Sequence, residues 1–336
     1  MTKYSGFRKP AHRLAGAAAV LAAALALAAC SARPSSDSRP LVLTTFTVMK
    51  DMAKSIAGDR LRVESITSPG EEIHDYQPSP EDIRRGADAV ISGRRIHNVR
   101  VKVGKILAEE SPADADLVIQ NGLGLERWFE KFTSQSGAET VVASKGVTPI
   151  PIAEGDHKGE PNPHAWMSPK NAKIYVDNMV AAFSKLDPSH AKEFKANGKA
   201  YKARLDAIAN DMQKKLASVP QGQRALVTCE GAFSYLTRDY GLAEHYLWGV
   251  NAEGAMTPKR VAAVQDSVKK NRIPAVFCES TVEGKMDAVV QATGAKYGGT
   301  LYVDSLTDAK GPAPTYLKLL EYDTKTIASG LVGGAS

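Results

Sequence analysis

From Asp187-Pro188 to about Ser218 the chain keeps a helical period: Phe194, Tyr201, Leu205, Ile208, Met212 and Leu216 fall at steps of three, four or seven, with no Gly or Pro after Gly198. A single helix of about thirty residues spans ~45 Å, enough to run the length of two lobes. On both sides of it, short β-rich runs alternate with amphipathic stretches, the pattern of parallel sheets with crossover helices. Before it, strands are predicted at 41–45, 62–66, 116–120 and 140–143, with helices at 48–57 and near 125–132. After Pro220, strands are predicted at 225–229, 245–248, 275–278 and 300–303, with helices at 232–240, 258–271, 284–293 and 316–329. Ser79-Pro80 and Ser168-Pro169 each place a capping serine before a proline at the first helical position, so helices are expected to start there. The expected fold is α/β, with two lobes, each a mostly parallel sheet with crossover helices, joined by one long rigid helix. The lobes cover 41–186 and 220–336, and the linking helix 187–219.

One stretch breaks the alternation. Gly86-Ala87-Asp88-Ala89-Val90-Ile91 is nearly repeated as Ala113-Asp114-Ala115-Asp116-Leu117-Val118-Ile119, with a basic segment, Arg94 to Lys105, between the copies. Either copy could supply the third strand, but not both.

The first residues are not expected to join the fold. Lys3, Arg8, Lys9 and Arg13 precede an apolar run from Leu14 to Ala29 that ends at Leu27-Ala28-Ala29-Cys30, the layout of a secretory signal at 1–29. The run is short of the ~20 residues a membrane span needs. A cysteine after small residues resembles a lipobox, with Cys30 the lipidated first residue; the plainer alternative is a thiol that happens to lie at an ordinary cleavage site. Residues 30–40, rich in Ser, Pro and Arg, read as a flexible tether. Loss of four positive charges takes the formal net charge from +6 to about +2. No basic run with interleaved aromatics remains to suggest nucleic acid, and no later apolar stretch is long enough to span a bilayer. Cys229 and Cys278 could pair, although two cysteines do not make a disulfide framework.

In open parallel sheets ligands bind beyond the carboxyl ends of the strands, so polar residues there are the first candidates. His74 follows the second predicted strand and His164 the fourth; Glu230 follows Ala225-Leu226-Val227-Thr228-Cys229, and Asp304 follows Thr300-Leu301-Tyr302-Val303. Two come from each predicted lobe. Two imidazoles and two carboxylates facing a shared cleft suit a borderline or hard first-row divalent ion. Taken singly, each is equally a solvated loop residue or a helix cap.

Four motifs carry a resemblance. Glu72-Ile73-His74-Asp75-Tyr76-Gln77-Pro78-Ser79-Pro80, Asn162-Pro163-His164-Ala165-Trp166-Met167-Ser168-Pro169, Thr228-Cys229-Glu230-Gly231-Ala232-Phe233 and Leu301-Tyr302-Val303-Asp304-Ser305-Leu306 together resemble the metal-receptor lipoproteins of manganese, iron and zinc ABC importers, the cluster A-I binding proteins. The resemblance covers nearly the whole chain after the signal. It implies metal ligands at His74, His164, Glu230 and Asp304. It also implies transfer to an ABC permease with a cytoplasmic ATPase, and a monomer held by lipid in the periplasm or on the outer face of the cell membrane. Zinc members typically carry a third histidine where this chain has Glu230, and often a long His- and acid-rich loop; here the loop before His164 holds only His157. The manganese or ferrous iron branch is therefore the closer match, with zinc also able to bind. The departure is about twenty-eight extra residues between the two Ala-Asp copies. The family's strand is assigned to 116–120, because it runs into Asn121-Gly122-Leu123-Gly124-Leu125-Glu126; the segment from Arg94 to Pro112 reads as a surface excursion or a basic docking patch.

His97, His190 and His245 read as structural. Cys229 should face away from the site if Glu230 faces in, since neighbouring strand residues alternate, and Cys278 reads as core. Asp75, Glu279 and Ser280 are candidates for support of the ligands. Two other functions fit parts of the sequence. A periplasmic metal-dependent hydrolase or dismutase needs an open coordination position and, for hydrolysis, a base, yet no H-E-x-x-H or other catalytic histidine cluster occurs. A surface adhesin accounts for the anchor but not for the four-residue constellation.

Overall fold

The first strand, β1 (Leu41–Thr44), is buried along its whole length, as expected for a strand covered on both faces of a parallel sheet. It lies between β2 (Arg62–Ser65) and β3 (Leu117–Gln120), and β3 continues to β4 (Glu139–Val142), giving a parallel sheet of order β2-β1-β3-β4. The second Ala-Asp copy thus supplies the third strand. Asp116 clips it to β1: the Leu41 N–H donates to Asp116 Oδ2 at 2.8 Å and the Asp116 N–H to the Leu41 carbonyl at 2.8 Å. The computed structural model describes residues 37, 39–71, 73–74, 76–77, 79, 115–129, 138–250, 256–282 and 284–333. The signal segment with Cys30, the helix expected after Ser79-Pro80, the first Ala-Asp copy, the basic segment and part of the helix expected near 125–132 lie outside the described residues.

Helix α1 (Thr47–Ala57) buries Val48, Met49, Met52, Ala53 and Ile56, an i, i+3, i+4 face turned to the sheet. Helix α2 (Pro169–Leu186) starts as its sequence specifies, with Pro169 in the first turn and Ser168 Oγ accepting from the Asn171 N–H. The expected thirty-residue helix is shorter. Asp187 accepts from the side chains of Ser189 and His190 and closes a single 3-10 turn at 188–190, so the α-helix proper, α3, runs Ala191–Leu216. Twenty-six residues still make a rod of ~39 Å. Its first half packs on α1 and α2 and its second half on the last helix, α7 (Tyr316–Val332). Gly198, otherwise unfavourable inside a helix, sits where α3 meets α2: a Cβ there would lie 2.5 Å from Val180 Cγ2.

The second lobe uses two parallel pairs. β5 (Ala225–Glu230) pairs with β6 (Ala243–Trp248), and β7 (Ala275–Glu279) with β8 (Lys296–Leu301). β5 and β7 lie side by side without a described ladder, and the Cys229–Cys278 disulfide joins them with their Cα atoms 4.9 Å apart. The pairing left open by the sequence is therefore made. Helices α4 (Ser234–Tyr240), α5 (Pro258–Asn271), α6 (Asp287–Thr293) and α7 cover these strands. One cluster of buried apolar side chains runs from Val42, Phe46 and Trp166 in the first lobe to Phe277, Leu301 and Leu320 in the second. Among the described residues no helix is long and apolar enough to cross a membrane.

Candidate metal centre

All four candidate side chains meet at the carboxyl ends of the strands. His74 Nε2 lies 3.0 Å from His164 Nε2, 3.7 Å from Asp304 Oδ1 and 4.0 Å from Glu230 Oε1, and His164 Nε2 lies 3.5 Å from Asp304 Oδ1. Four donors ligating one ion at about 2.0–2.2 Å in a tetrahedron stand about 3.3–3.6 Å apart, so this spacing suits a single divalent ion. Glu230 is the last residue of β5, and Asp304 stands three residues beyond β8, because β8 begins and ends earlier than its β-rich letters suggest.

Each ligand candidate is held from behind. His164 is fully buried, and Asn162 Oδ1 accepts both its backbone N–H at 3.0 Å and its ring Nδ1–H at 2.9 Å. The amide end of Asn162 donates to the Gly231 carbonyl at 2.7 Å and to Ser234 Oγ at 3.2 Å, which fixes which end of the amide is oxygen. With Nδ1 carrying the hydrogen, the lone pair of His164 Nε2 faces the cluster. Asn162 therefore grips an imidazole of the first lobe and, beside Glu230, the backbone of the second. Its role is not readable from periodicity; the available signal was its place two residues before a histidine in the Asn-Pro-His motif.

Other ties cross the same junction. Trp166 Nε1 donates to the Val303 carbonyl at 3.1 Å, next to Asp304. The Gly70 N–H, on the loop that leads to His74, donates to Ser305 Oγ at 2.6 Å, and the Leu306 N–H to Thr47 Oγ1 at 3.0 Å. Within the first lobe, Trp128 Nε1 donates to the Ile73 carbonyl at 3.1 Å, seating the histidine loop on the segment after β3.

Charge is concentrated here. Burial alone would push the Asp304 carboxyl up; the charge of His74, with His164 beside it, outweighs that and holds it far below the ordinary carboxylate range. Its Oδ1 has no donor in hydrogen-bonding geometry among the described residues, and a buried carboxylate oxygen left in this condition favours a cation. Behind Glu230 stands Glu279, 3% exposed, both of whose oxygens lie 3.3 Å from the Glu230 N–H. Burial first, and then the Glu230 charge, push the Glu279 carboxyl well above its ordinary value. The remaining described histidines stand apart: His157 pairs with Glu160 at 3.2 Å, His190 with Asp187 at 2.6 Å, and His245 lies within β6.

A sequence profile of the family described as zinc-uptake complex component A periplasmic (ZnuA) matches residues 42–94 and 90–330. The chain belongs to that family. The two matched segments overlap where the Ala-Asp repeat and its insertion begin. Among curated ZnuA relatives, the chain is 46% identical over 291 residues to the iron-binding protein YfeA of Yersinia pestis, covering 86% of this chain and 85% of that one. It is 27% identical over 320 residues to the manganese ABC transporter substrate-binding lipoprotein PsaA of Streptococcus pneumoniae, covering 92% and 95%. Among solved structures, the Mn-bound periplasmic metal binding protein from Candidatus Liberibacter asiaticus matches with a TM-score of 0.72 at 32% identity, over 87% of this chain and all of that one. The periplasmic zinc binding protein TroA from Treponema pallidum matches with a TM-score of 0.73 at 25% identity, over 88% and 99%. The two-lobed α/β architecture is thus that of the ZnuA family.

Proposed function

We propose that this chain is the extracytoplasmic substrate-binding lipoprotein of a metal ABC importer, that it takes manganese or ferrous iron through His74, His164, Glu230 and Asp304, and that zinc competes for the site. The observation that carries the reading is the convergence of two Nε2 atoms and two carboxylates, 3.0–4.0 Å apart in the measured pairs, with no donor in hydrogen-bonding geometry to Asp304 Oδ1 among the described residues. Two nitrogens and up to four carboxylate oxygens allow four to six donors. Hard oxygen-rich sets suit manganese, while the Irving–Williams order keeps zinc a strong competitor in vitro. The ion is cargo, so the chain needs to bind and release it but not to activate a water on it. The partners are the membrane subunits of a permease and its cytoplasmic ATPase. The chain acts as a monomer in the periplasm or on the outer face of the cell membrane, anchored by lipid on Cys30 once 1–29 is removed and free to move on the tether of 30–40.

The test is anaerobic competition titration with manganese, ferrous iron and zinc. His164→Ala and Asp304→Ala should each weaken all three ions by at least a hundredfold; binding that equals the parent in both would reject the site. For the anchor, Cys30→Ala should leave the protein unprocessed or released, and an acylated mature chain in the envelope fraction of that variant would reject it.

A further inference from the structure

The strand end that presents Glu230 is held in an unusual way. β5 and β7 belong to separate two-stranded sheets, so no described ladder of backbone hydrogen bonds fixes one against the other. Two other links do so. The disulfide joins Cys229 to Cys278, each one residue before a glutamate at the cleft end of its strand, and the Glu279 carboxyl takes up the Glu230 N–H. Both cysteines are fully buried, whereas the Glu230 side chain is 14% exposed at the cleft. The covalent link therefore lies directly under a metal ligand candidate, at a junction of two closely packed strands that no described ladder joins.

We infer that the Cys229–Cys278 bridge is a redox-sensitive strap that sets the metal affinity of this site by holding Glu230 in place, an inference that rests on the metal-site reading above. Two electrons and two protons from a dithiol, itself oxidised to a disulfide, convert the bridge to two thiols. The ends of β5 and β7 are then held by the weaker Glu279 contact and by apolar packing, neither of which fixes their register as a covalent bond does, and Glu230 loses its fixed position relative to His74, His164 and Asp304. Binding and reduction are thermodynamically linked, so an ion that is held less tightly by the dithiol form protects the bridge from reduction by the same factor.

The experiment uses the full chain purified in detergent and manganese as the probe, since this oxygen-preferring ion is little drawn to the new thiols. One sample is kept oxidised; a second is reduced with tris(2-carboxyethyl)phosphine, which becomes its oxide, and freed of reagent by anaerobic gel filtration; a third is reduced and then re-oxidised. Circular dichroism reports folding and thiol titration reports the bridge. The expected result is a manganese Kd at least tenfold weaker in the folded dithiol form, restored on re-oxidation, and a Cys229→Ala/Cys278→Ala variant that stays at the weak value and ignores the phosphine. Saturating manganese should lower the reduction midpoint by about 30 mV for each tenfold difference in Kd. A folded dithiol form that binds within twofold of the oxidised form overturns the inference, as does a dithiol form that unfolds altogether, which would make the bridge a support for the whole lobe. Failure of the oxidised chain to bind any manganese, iron or zinc overturns the metal-site reading instead.

Discussion

Asn162 is the residue whose loss should separate the shape of the site from its ligands. In Asn162→Ala all four ligand candidates remain, but the His164 N–H and Nδ1–H and the Gly231 carbonyl lose the partner that Asn162 supplies at 3.0, 2.9 and 2.7 Å. With water taking up the vacated space, each loss should cost about 1 kcal/mol and the metal-free protein about 3 kcal/mol in all. The larger effect is on the ring. Without an acceptor on Nδ1 the imidazole can turn or carry its hydrogen on Nε2, and losses of this kind weaken metal binding by about 10–100-fold, or ~1.4–2.8 kcal/mol. Manganese titration by calorimetry under anaerobic conditions gives the affinity, and long-range proton–nitrogen NMR of labelled histidine gives the tautomer. A folded variant that binds within threefold of the parent, or that keeps Nδ1 protonated, would refute the argument that Asn162 aims the nitrogen.

Glu230→His should move relative affinity from manganese toward zinc by at least tenfold, read by competition titration, because a nitrogen replaces up to two oxygens; an unchanged ratio contradicts this. Asp323 is buried with its Oδ1 accepting from the Tyr302 N–H at 3.1 Å, and burial pushes its carboxyl well above the ordinary value. The folded state therefore keeps a proton that the unfolded chain releases above about pH 3.9, so stability falls as pH rises from there toward the folded value. Asp323→Asn should remove up to about 1.4 kcal/mol of that fall per pH unit, and urea unfolding curves for parent and variant that run parallel between pH 4 and 7 would exclude it. Gly198→Ala gains about 1 kcal/mol of helix propensity but sets a methyl 2.5 Å from Val180 Cγ2, where overpacking costs about 1–3 kcal/mol; a raised melting temperature would show that α2 and α3 yield more easily than their packing implies. Joining residue 86 to residue 114 should keep manganese affinity within about tenfold, since the motif after the insertion is intact, and a folded variant unable to bind would mean that the insertion supports His74.

Elements whose cause is local were legible in the sequence. Ser168-Pro169 states where α2 begins, and Pro258–Asn271 carries its own stop and start, so the expected and observed bounds agree. Glu230 and Asp304 were visible because each stands at or just past the end of a strand, where a polar residue has no packing role to fill, whereas His74 and His164 lie well beyond β2 and β4 and were visible through the motifs around them. Features that depend on which strands become neighbours were hidden. Cys229 can meet Cys278 only because β5 lies beside β7, and forty-nine residues separate them in the chain. Lys296–Gly299 lacks the look of a strand, with Gly298 and Gly299 in it, yet pairing with β7 makes it the body of β8 and leaves 302–303 as loop. Asn162 was hidden for a related reason: the four atoms its side chain bonds come from its own loop and, across the lobe junction, from Gly231 just past β5 and Ser234 at the start of α4.

A clamp that swings shut on a hinge gives up part of its grip to the swing, because its apparent affinity is reduced by the fraction of time it spends shut. Here the connection is an unbroken helix that touches α1 and α2 at one end and α7 at the other, and the apolar core does not stop at the lobe boundary. Wide opening would have to break backbone hydrogen bonds of α3 or tear packed side chains apart. On the proposed metal-site reading, an ion would thus meet a socket assembled in advance and keep most of its contact energy as affinity. On that reading, the signal that the socket is full would be carried by the short histidine loop and the ends of β5 and β8, rather than by a wide change in how the two lobes stand.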